Sequence, residues 1–293
     1  MQTGVIGIIG GSGFYNMADV TDLRAVNIDT PFGATSDPVL LGRLEGRDIA
    51  FIARHGRGHR VNPTNIPVRA NIFALKALGV THLVSVSAVG SMKEEIEPLH
   101  MVVPDQLYDR TVHRPRTFFD DGPVVHIAFA EPYCPHLREE LVQAARTAGG
   151  TVHDGGTYIC IEGPQFSTRA ESVLYRQWGM SVIGMTALPE ARLAREAEMC
   201  YSTLAMATDY DTWHPDHDSV TVELVVQNLS RNVQLAQATI ASLIPAIPER
   251  RTCTCGNALD SAIMTEPDLV PDEFKVRFGP LLARYLEAGE PGE

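Results

Sequence analysis

Two hydrophobic periods alternate along this chain, and that alternation constrains its fold more than any other feature. Short apolar runs that read as strands are followed by stretches with apolar residues at helical spacing. Val5–Ile9 is such a run, and it ends in Gly10-Gly11-Ser12-Gly13 as a buried strand entering a tight loop. Val39–Leu44 and Asp48–Arg54 flank Glu45-Gly46-Arg47 in the manner of a hairpin. Val68–Leu78 has helical spacing and a Gly79 stop. Thr81–Ser87 reads as a strand, followed by the small-residue turn Ala88-Val89-Gly90-Ser91. Pro135–Ala148 opens with Pro, sets Leu137, Leu141, Ala144 and Ala145 on one face, and stops at Gly149-Gly150. Then come strand Thr157–Ile161, helix Thr168–Trp178, strand Ser181–Gly184, helix Ala187–Ala197 and an apolar strand Cys200–Thr208 closing at Asp209. A long amphipathic helix is expected over Thr221–Leu243. This order predicts an α/β fold, a mixed, mostly parallel β-sheet flanked by helices on both faces. We expect residues 1–248 to form one domain, with 249–293 a C-terminal extension packed on it and ending in a helix over Asp272–Leu286.

Charge narrows the partners. The 36 acids against 24 bases give a net charge of −12, which repels nucleic acid and anionic membrane, so neither is expected. A small anion remains open to a few local arginines. Lys76, Lys93 and Lys275 are the only lysines, and the remaining cations are Arg, whose planar fork suits anion recognition. No run of 18 apolar residues predicts a membrane span, and the N-terminus lacks the basic start of a signal peptide, so a cytoplasmic protein is expected. The five cysteines, Cys134, Cys160, Cys200, Cys253 and Cys255, form no CxxC pair and hence no zinc ribbon. They read as thiols in a reducing cytosol, with a disulfide or redox role for Cys253-Thr-Cys255 as the alternative.

Four segments carry chemistry. The Gly10–Gly13 loop can converge backbone N–H groups and a hydroxyl on an anion, or can be a plain tight turn. It is not a dinucleotide fingerprint, because the sixth position counted from Gly11 is Asn16, and no Lys follows a Gly as a Walker loop needs. Arg54-His55-Gly56-Arg57-Gly58-His59-Arg60 crowds five potential cations at a strand end, which suits phosphate or a solvated basic loop. Its two glycines disfavour the helix that would align His55 and His59 on a metal. In Glu162-Gly163-Pro164-Gln165-Phe166-Ser167-Thr168, Ser167 or Thr168 can cap the next helix, and Phe166 can stack on a flat heterocycle or join the core. Asp209-Tyr210-Asp211 closes an apolar strand, where ligands of open α/β sheets sit. A desolvated carboxyl there can act as a general acid or simply end a turn. A metal set of Asp209, Asp211, His214 and His217 has no standard spacing.

Taken in order, GIIGGSGF, ARHGRGH, NIFALKALGVTHLVSVSAVGS, DQLYDRT, HIAFAEPYCP, CIEGPQFSTRAES, SVIGMT with LPEA, and ATDYDTWH resemble the 5'-methylthioadenosine phosphorylase branch of the trimeric purine nucleoside phosphorylases. The resemblance covers roughly residues 4–246. It implies a single-domain nucleoside phosphorylase fold, phosphate as co-substrate, no metal or organic cofactor, and a homotrimer or a dimer of trimers. It also implies roles. Ser12, Arg54, His55, Ser87, Ala88 and Thr186 would hold phosphate. Met185 would meet the ribose, and Phe166 and Ser167 the base. Asp209 and Asp211 would be the catalytic pair at the purine N7 and 6-amino group. Val222 would line the 5' pocket, with His126 reaching in from an adjacent subunit.

The implied reaction is phosphorolysis of S-methyl-5'-thioadenosine to adenine and 5-methylthio-α-D-ribose 1-phosphate. As the C1'–N9 bond breaks, negative charge moves into the purine, and a protonated Asp209 can meet it at N7. Positioned phosphate attacks C1' from the opposite face, with inversion as the family's precedent. An Asp at this position favours a 6-amino purine, where relatives for 6-oxopurines carry Asn. The tail with its Cys-Thr-Cys is longer than in compact members. It resembles tails in which disulfides to Cys134 or Cys200 form, and it leaves the 5' substituent open between methylthio, hydroxyl, deoxy and halo groups. The rival readings are a 6-oxopurine phosphorylase, a purine nucleosidase using water, a dinucleotide-dependent oxidoreductase and a non-catalytic nucleoside-binding protein.

Overall fold

The computed structural model describes residues 4–11, 19–214 and 222–286, and leaves the side chains of 222–225 outside the description. In chain order the elements are β1 (Val5–Gly10), β2 (Thr21–Val26), β3 (Val39–Leu44), β4 (Arg47–Ala53), α1 (Val68–Ala77), β5 (Val80–Ser91), β6 (Met101–Val103) and β7 (Gln106–Arg110). They continue as α2 (Pro135–Thr147), β8 (Val152–Asp154), β9 (Thr157–Ile161), α3 (Arg169–Gln177), β10 (Val182–Gly184), α4 (Ala187–Glu196), β11 (Cys200–Asp209) and α5 (Val222–Ala246). Two short helices, α6 (Asp272–Arg277) and α7 (Gly279–Leu282), close the chain.

One mixed sheet joins the strands in the order β2-β3-β4-β1-β5-β10-β9-β7, with β11 on β5 and β6, and β8 on β6. The central pairs β1/β4, β1/β5 and β5/β11 are parallel, as are β9/β10, β7/β9 and β6/β8. Such strands are covered on both faces, which is why they read as near-continuous apolar runs. Every residue of β11 is buried. One face packs α1, α4 and the terminal helices through Ile72, Phe73, Leu193, Phe278 and Leu282. The other packs α2 and α5 through Leu137, Leu141, Ile240, Leu243 and Ile244. The expected α/β architecture with helices on both faces is thus present.

Local signals explain the helix ends. Thr168 and Glu171 form a full capping box at the start of α3. Pro135 enters α2 at its first turn, where a missing N–H does no harm. Two expectations need correction. Ala88–Ser91 is not a turn but the end of β5, held by β10 (Ser91 to Val182, Gly90 to Ile183) and by β11 (Gly90 to Asp209). Its small side chains permit that approach, since a Cβ at Gly90 would lie 3.0 Å from Asp209 Oδ1. The terminal helix is split in two, because Pro280 has no N–H to continue α6. Strands β2, β6, β7 and β8 had no periodic signal. They are three to six residues long, and β2 is almost wholly exposed.

Phe278 is the anchor of the terminal segment. It stacks on Phe274 at 4.1 Å between ring centroids and meets Phe32, Phe73 and Phe119 at 5.4–6.4 Å. Its truncation would remove both transfer energy and contacts. Phe278→Ala should therefore destabilise the chain by about 3–5 kcal/mol in urea unfolding, whereas a loss under 1 kcal/mol would mean the segment is not integrated.

Candidate active site

The carboxyl ends of β1, β4, β5, β9 and β11 converge, with the turn after β10, on one cavity of about 710 Å³. That is the expected location for a ligand in an open α/β sheet. Gly11, Arg54, His55, Ser87, Ala88 and Thr186 line one end. Phe166, Ser167, Met185, Asp209 and Asp211 line another part of it. The structure therefore brings most of the expected site residues together. Ser12 lies outside the described residues, as does His217, and the side chain of Val222 does too. His126 is exposed, donates its backbone N–H to the Ala262 carbonyl, and does not line the cavity of its own chain.

At the first of these ends Arg54 is almost fully buried, with its donors largely committed. Nε donates to Glu190 Oε1 at 2.5 Å. Nη2 donates to Ser85 Oγ at 2.7 Å and Glu190 Oε2 at 3.2 Å, and Nη1 to the Val86 carbonyl at 3.0 Å. Burial alone would lower the guanidinium pKa, but Glu190 outweighs it and keeps the charge. One Nη1 N–H has no partner among the described residues. The basic loop is likewise balanced, since Arg57 and Arg60 share Asp37. His55 stacks on His59 at 4.1 Å, and its Nδ1 donates to the Val61 carbonyl at 2.9 Å. Burial, then the Arg54 charge, pushes its pKa down to about 4, so the ring is neutral at pH 7. Its Nε2 is then an acceptor, suited to a protonated phosphate oxygen, and its backbone N–H is the donor it can offer an anion.

Ser87 supplies the hydroxyl centre of this end. Its Oγ is 2.9 Å from Thr186 Oγ1 and 3.3 Å from the Tyr158 hydroxyl. Thr186 stands at the N-cap of α4 but makes no capping bond, so its hydroxyl is turned to Ser87 instead. Burial raises the Tyr158 pKa and keeps it a hydroxyl. Gly184 admits Tyr158, since a Cβ there would fall 2.0 Å from the phenol oxygen.

The carboxylates stand further along. Asp209 pairs with Gly90, three residues beyond Ser87 on β5, or about 10 Å at strand rise. Its Oδ2 accepts the Thr208 hydroxyl at 2.7 Å and its Oδ1 the Asp211 N–H at 2.8 Å. Burial nevertheless raises its pKa. Burial also pushes Asp211 up to about 6, with the Asp209 charge adding to it. Asp211 Oδ2 and Ser167 Oγ are buried without a protein hydrogen bond of normal geometry. Phe166 is 42% exposed at the rim and thus presents a ring face rather than joining the core. His214 packs on the Tyr210 and Trp213 rings.

Several residues that build the site escaped the sequence reading. Glu190 balances Arg54 from inside a helix, where its spacing carries no sign of a partner 136 positions away. Arg114 is buried and ties the loops after β9 and β10 together, donating to the carbonyls of Met185, Leu188 and Glu162 at 2.6–2.7 Å. Asn228 and Asn232 donate to the Thr208 and Ala207 carbonyls from α5. A polar residue on the inward stripe of an amphipathic helix was the one signal available for these two.

The Asp211 shift has a stability consequence. A folded pKa of about 6, above the ordinary 3.8, stabilises the fold fully only below about pH 4, and that stability is lost as pH rises through 6. Asp211→Asn should therefore gain stability over the unsubstituted chain as pH rises from 4 to 8, by up to about 3 kcal/mol in urea unfolding. A difference that does not change with pH would overturn the assignment.

Comparison with known proteins agrees with this geometry. The model of the Phosphorylase superfamily matches residues 5–245. A protein of Koribacter versatilis named S-methyl-5'-thioadenosine phosphorylase is 53% identical over 287 residues, 98% of either chain. Its namesake from Chloroflexus aurantiacus is 54% identical over 97% of this chain and 99% of its own. Among solved structures, a methylthioadenosine phosphorylase from an antarctic soil metagenomic library aligns with TM-score 0.91 and 47% identity, over 96% of this chain and all of that one. Methylthioadenosine phosphorylase from Schistosoma mansoni in complex with adenine aligns with TM-score 0.83 and 32% identity, over 89% and 99% of the two chains. With its sheet, cavity and near full-length identity to these enzymes, the chain belongs to the phosphorylase superfamily, in its S-methyl-5'-thioadenosine phosphorylase branch.

Proposed function

We propose that this chain is a pentosyltransferase that cleaves S-methyl-5'-thioadenosine with inorganic phosphate, giving adenine and 5-methylthio-α-D-ribose 1-phosphate. One observation carries the reading: a single cavity has a hydroxyl cluster beside an arginine at one end and, at the end of the neighbouring strand β11, two buried carboxyls whose nearer member, Asp209, pairs with Gly90 about 10 Å along β5 from Ser87. Phosphate and purine then have separate seats with a sugar between them.

In this reading Ser87, Thr186, the Ala88 backbone, Ser12 and the remaining Arg54 N–H hold phosphate, with the His55 backbone N–H. The base lies against Phe166 and Ser167, and the ribose meets Met185. Asp209, protonated, donates at N7 as charge enters the leaving purine, and Asp211 receives the 6-amino group. Such donors act strongest in a desolvated pocket, which is where these carboxyls lie. No metal or organic cofactor takes part in the reaction, and the partners are the nucleoside and phosphate. Val222 lines the 5' side, and an adjacent subunit of a homotrimer contributes His126. The exposed apolar residues Tyr108, Val112 and Trp178 favour such an assembly. A cytoplasmic setting belongs to this reading, and no described helix is long and apolar enough to cross a membrane.

Adenine release from S-methyl-5'-thioadenosine should require added phosphate and yield the sugar phosphate. Equal release without phosphate would make the chain a nucleosidase. Ser87→Ala should raise KM for phosphate roughly fivefold, as expected for about 1 kcal/mol of lost hydrogen bonding, and leave the nucleoside KM nearly unchanged. The reverse pattern would remove Ser87 from the anion seat. Asp209→Asn should shift kcat/KM selectivity toward 6-oxopurine nucleosides by about tenfold, or ~1.4 kcal/mol. Proportional loss on both substrates would sink the role of Asp209 in choosing the base.

A further inference from the structure

Away from the cavity, four cysteines meet. Cys134, Cys200, Cys253 and Cys255 place all four sulfurs within 4.8 Å of one another, although the chain separates them by up to 121 positions. We propose that these four side chains bind one zinc ion as thiolates and so clamp the C-terminal segment to the sheet.

The distances fit a metal. A tetrahedral zinc with Zn–S near 2.3 Å sets its sulfurs about 3.8 Å apart, inside the observed limit. The sulfurs of Cys200 and Cys253 are 3.3 Å apart, in contact but unbonded. Two disulfides would use only two of the six sulfur contacts and would need an oxidant. One metal uses all six, and the four thiols release their protons to solvent with nothing oxidised. Three of the four residues are buried and the fourth is half-buried, so the site is closed, as structural zinc sites are. A small cavity of about 10 Å³ lies among Cys134, Cys200 and Cys253.

The backbone holds the ligands in place. Cys134 is the N-cap of the 13-residue α2, and its own N–H donates to the Tyr201 carbonyl at 2.8 Å. Cys200 is the first residue of β11, and Cys253 caps the short turn containing Cys255. The start of a helix favours a thiolate, and His136 and Arg251 line the same small cavity and can offset the excess negative charge of a tetrathiolate site. The neighbouring tail is fastened to the same corner, with Arg251 donating to the Glu198 carbonyl and Leu259 N–H and the Tyr285 hydroxyl to its carboxylate. The ion would thus be structural, at the opposite end of β11 from Asp209.

The test is metal content. Full-length protein expressed with zinc and freed of loose ions by gel filtration should carry about one zinc per chain by elemental mass spectrometry. A mercurial should release that zinc as the four thiols react. Cobalt taken up by the metal-free protein should show the intense visible bands of a tetrahedral tetrathiolate. Cys255→Ser should lose the metal, lower Tm and keep phosphorolysis at the assay temperature. Metal-free protein with all thiols open to alkylation would overturn the proposal. So would a metal-free chain lighter than its all-thiol form by the hydrogens of a disulfide. The stoichiometry is read on the unsubstituted chain, so a variant that fails to fold does not affect it.

Discussion

The ion pair between Arg54 and Glu190 is the joint on which the rest of the site depends. It draws β1, β4, β5, α4 and, through Tyr201, β11 to one point under the cavity. Two charges taken out of water are tolerable only together, and removing one partner of such a pair typically costs about 3–5 kcal/mol. The pair therefore positions the anion end but does not charge it strongly. In the proposed function, phosphate is selected there by directed donors, hydroxyls and N–H groups, more than by a net positive field. That matches a protein whose overall charge is strongly negative.

The same economy of side chains shapes the other end. Asp209 and Asp211 come close to β5 because Gly90 has no Cβ to hold them off. Burial then does the electrostatic work, raising the Asp209 pKa and pushing Asp211 up to about 6. With Ser87 and Gly90 on one rigid strand, the spacing between the two ends is set by the backbone itself, not by a mobile loop.

Much of this could be read from residue order alone. The buried parallel strands announced themselves as apolar runs, and the helices by period, Pro and Gly. Arg54, Asp209 and Asp211 were placed at strand ends, where ligands gather, whereas Ser87 and Thr186 came only from the resemblance. What escaped was pairing across long stretches of chain. Glu190 and Arg114 look like ordinary helix and loop charges until the fold buries them against their partners. Ala88–Ser91 looked like a turn because small residues are common in turns, and only the neighbouring strands make them extend. The spacing of the cysteines along the chain carries no information on their meeting in space, and only the resemblance of the tail linked Cys253 and Cys255 to Cys134 or Cys200.

Asn228 and Asn232 stand one turn apart on α5 and bind successive carbonyls at the end of β11. Neither bond survives if the helix rolls, so the helix and the strand that bears Asp209 travel as a unit. Val226, Leu229 and Val233 project into the cavity from this same helix. Their size can change without disturbing the amide rivets beside them. The wall of the pocket and its acid are thus separable modules, and a lineage could exchange one purine nucleoside for another by recarving three aliphatic side chains while its chemistry stayed untouched.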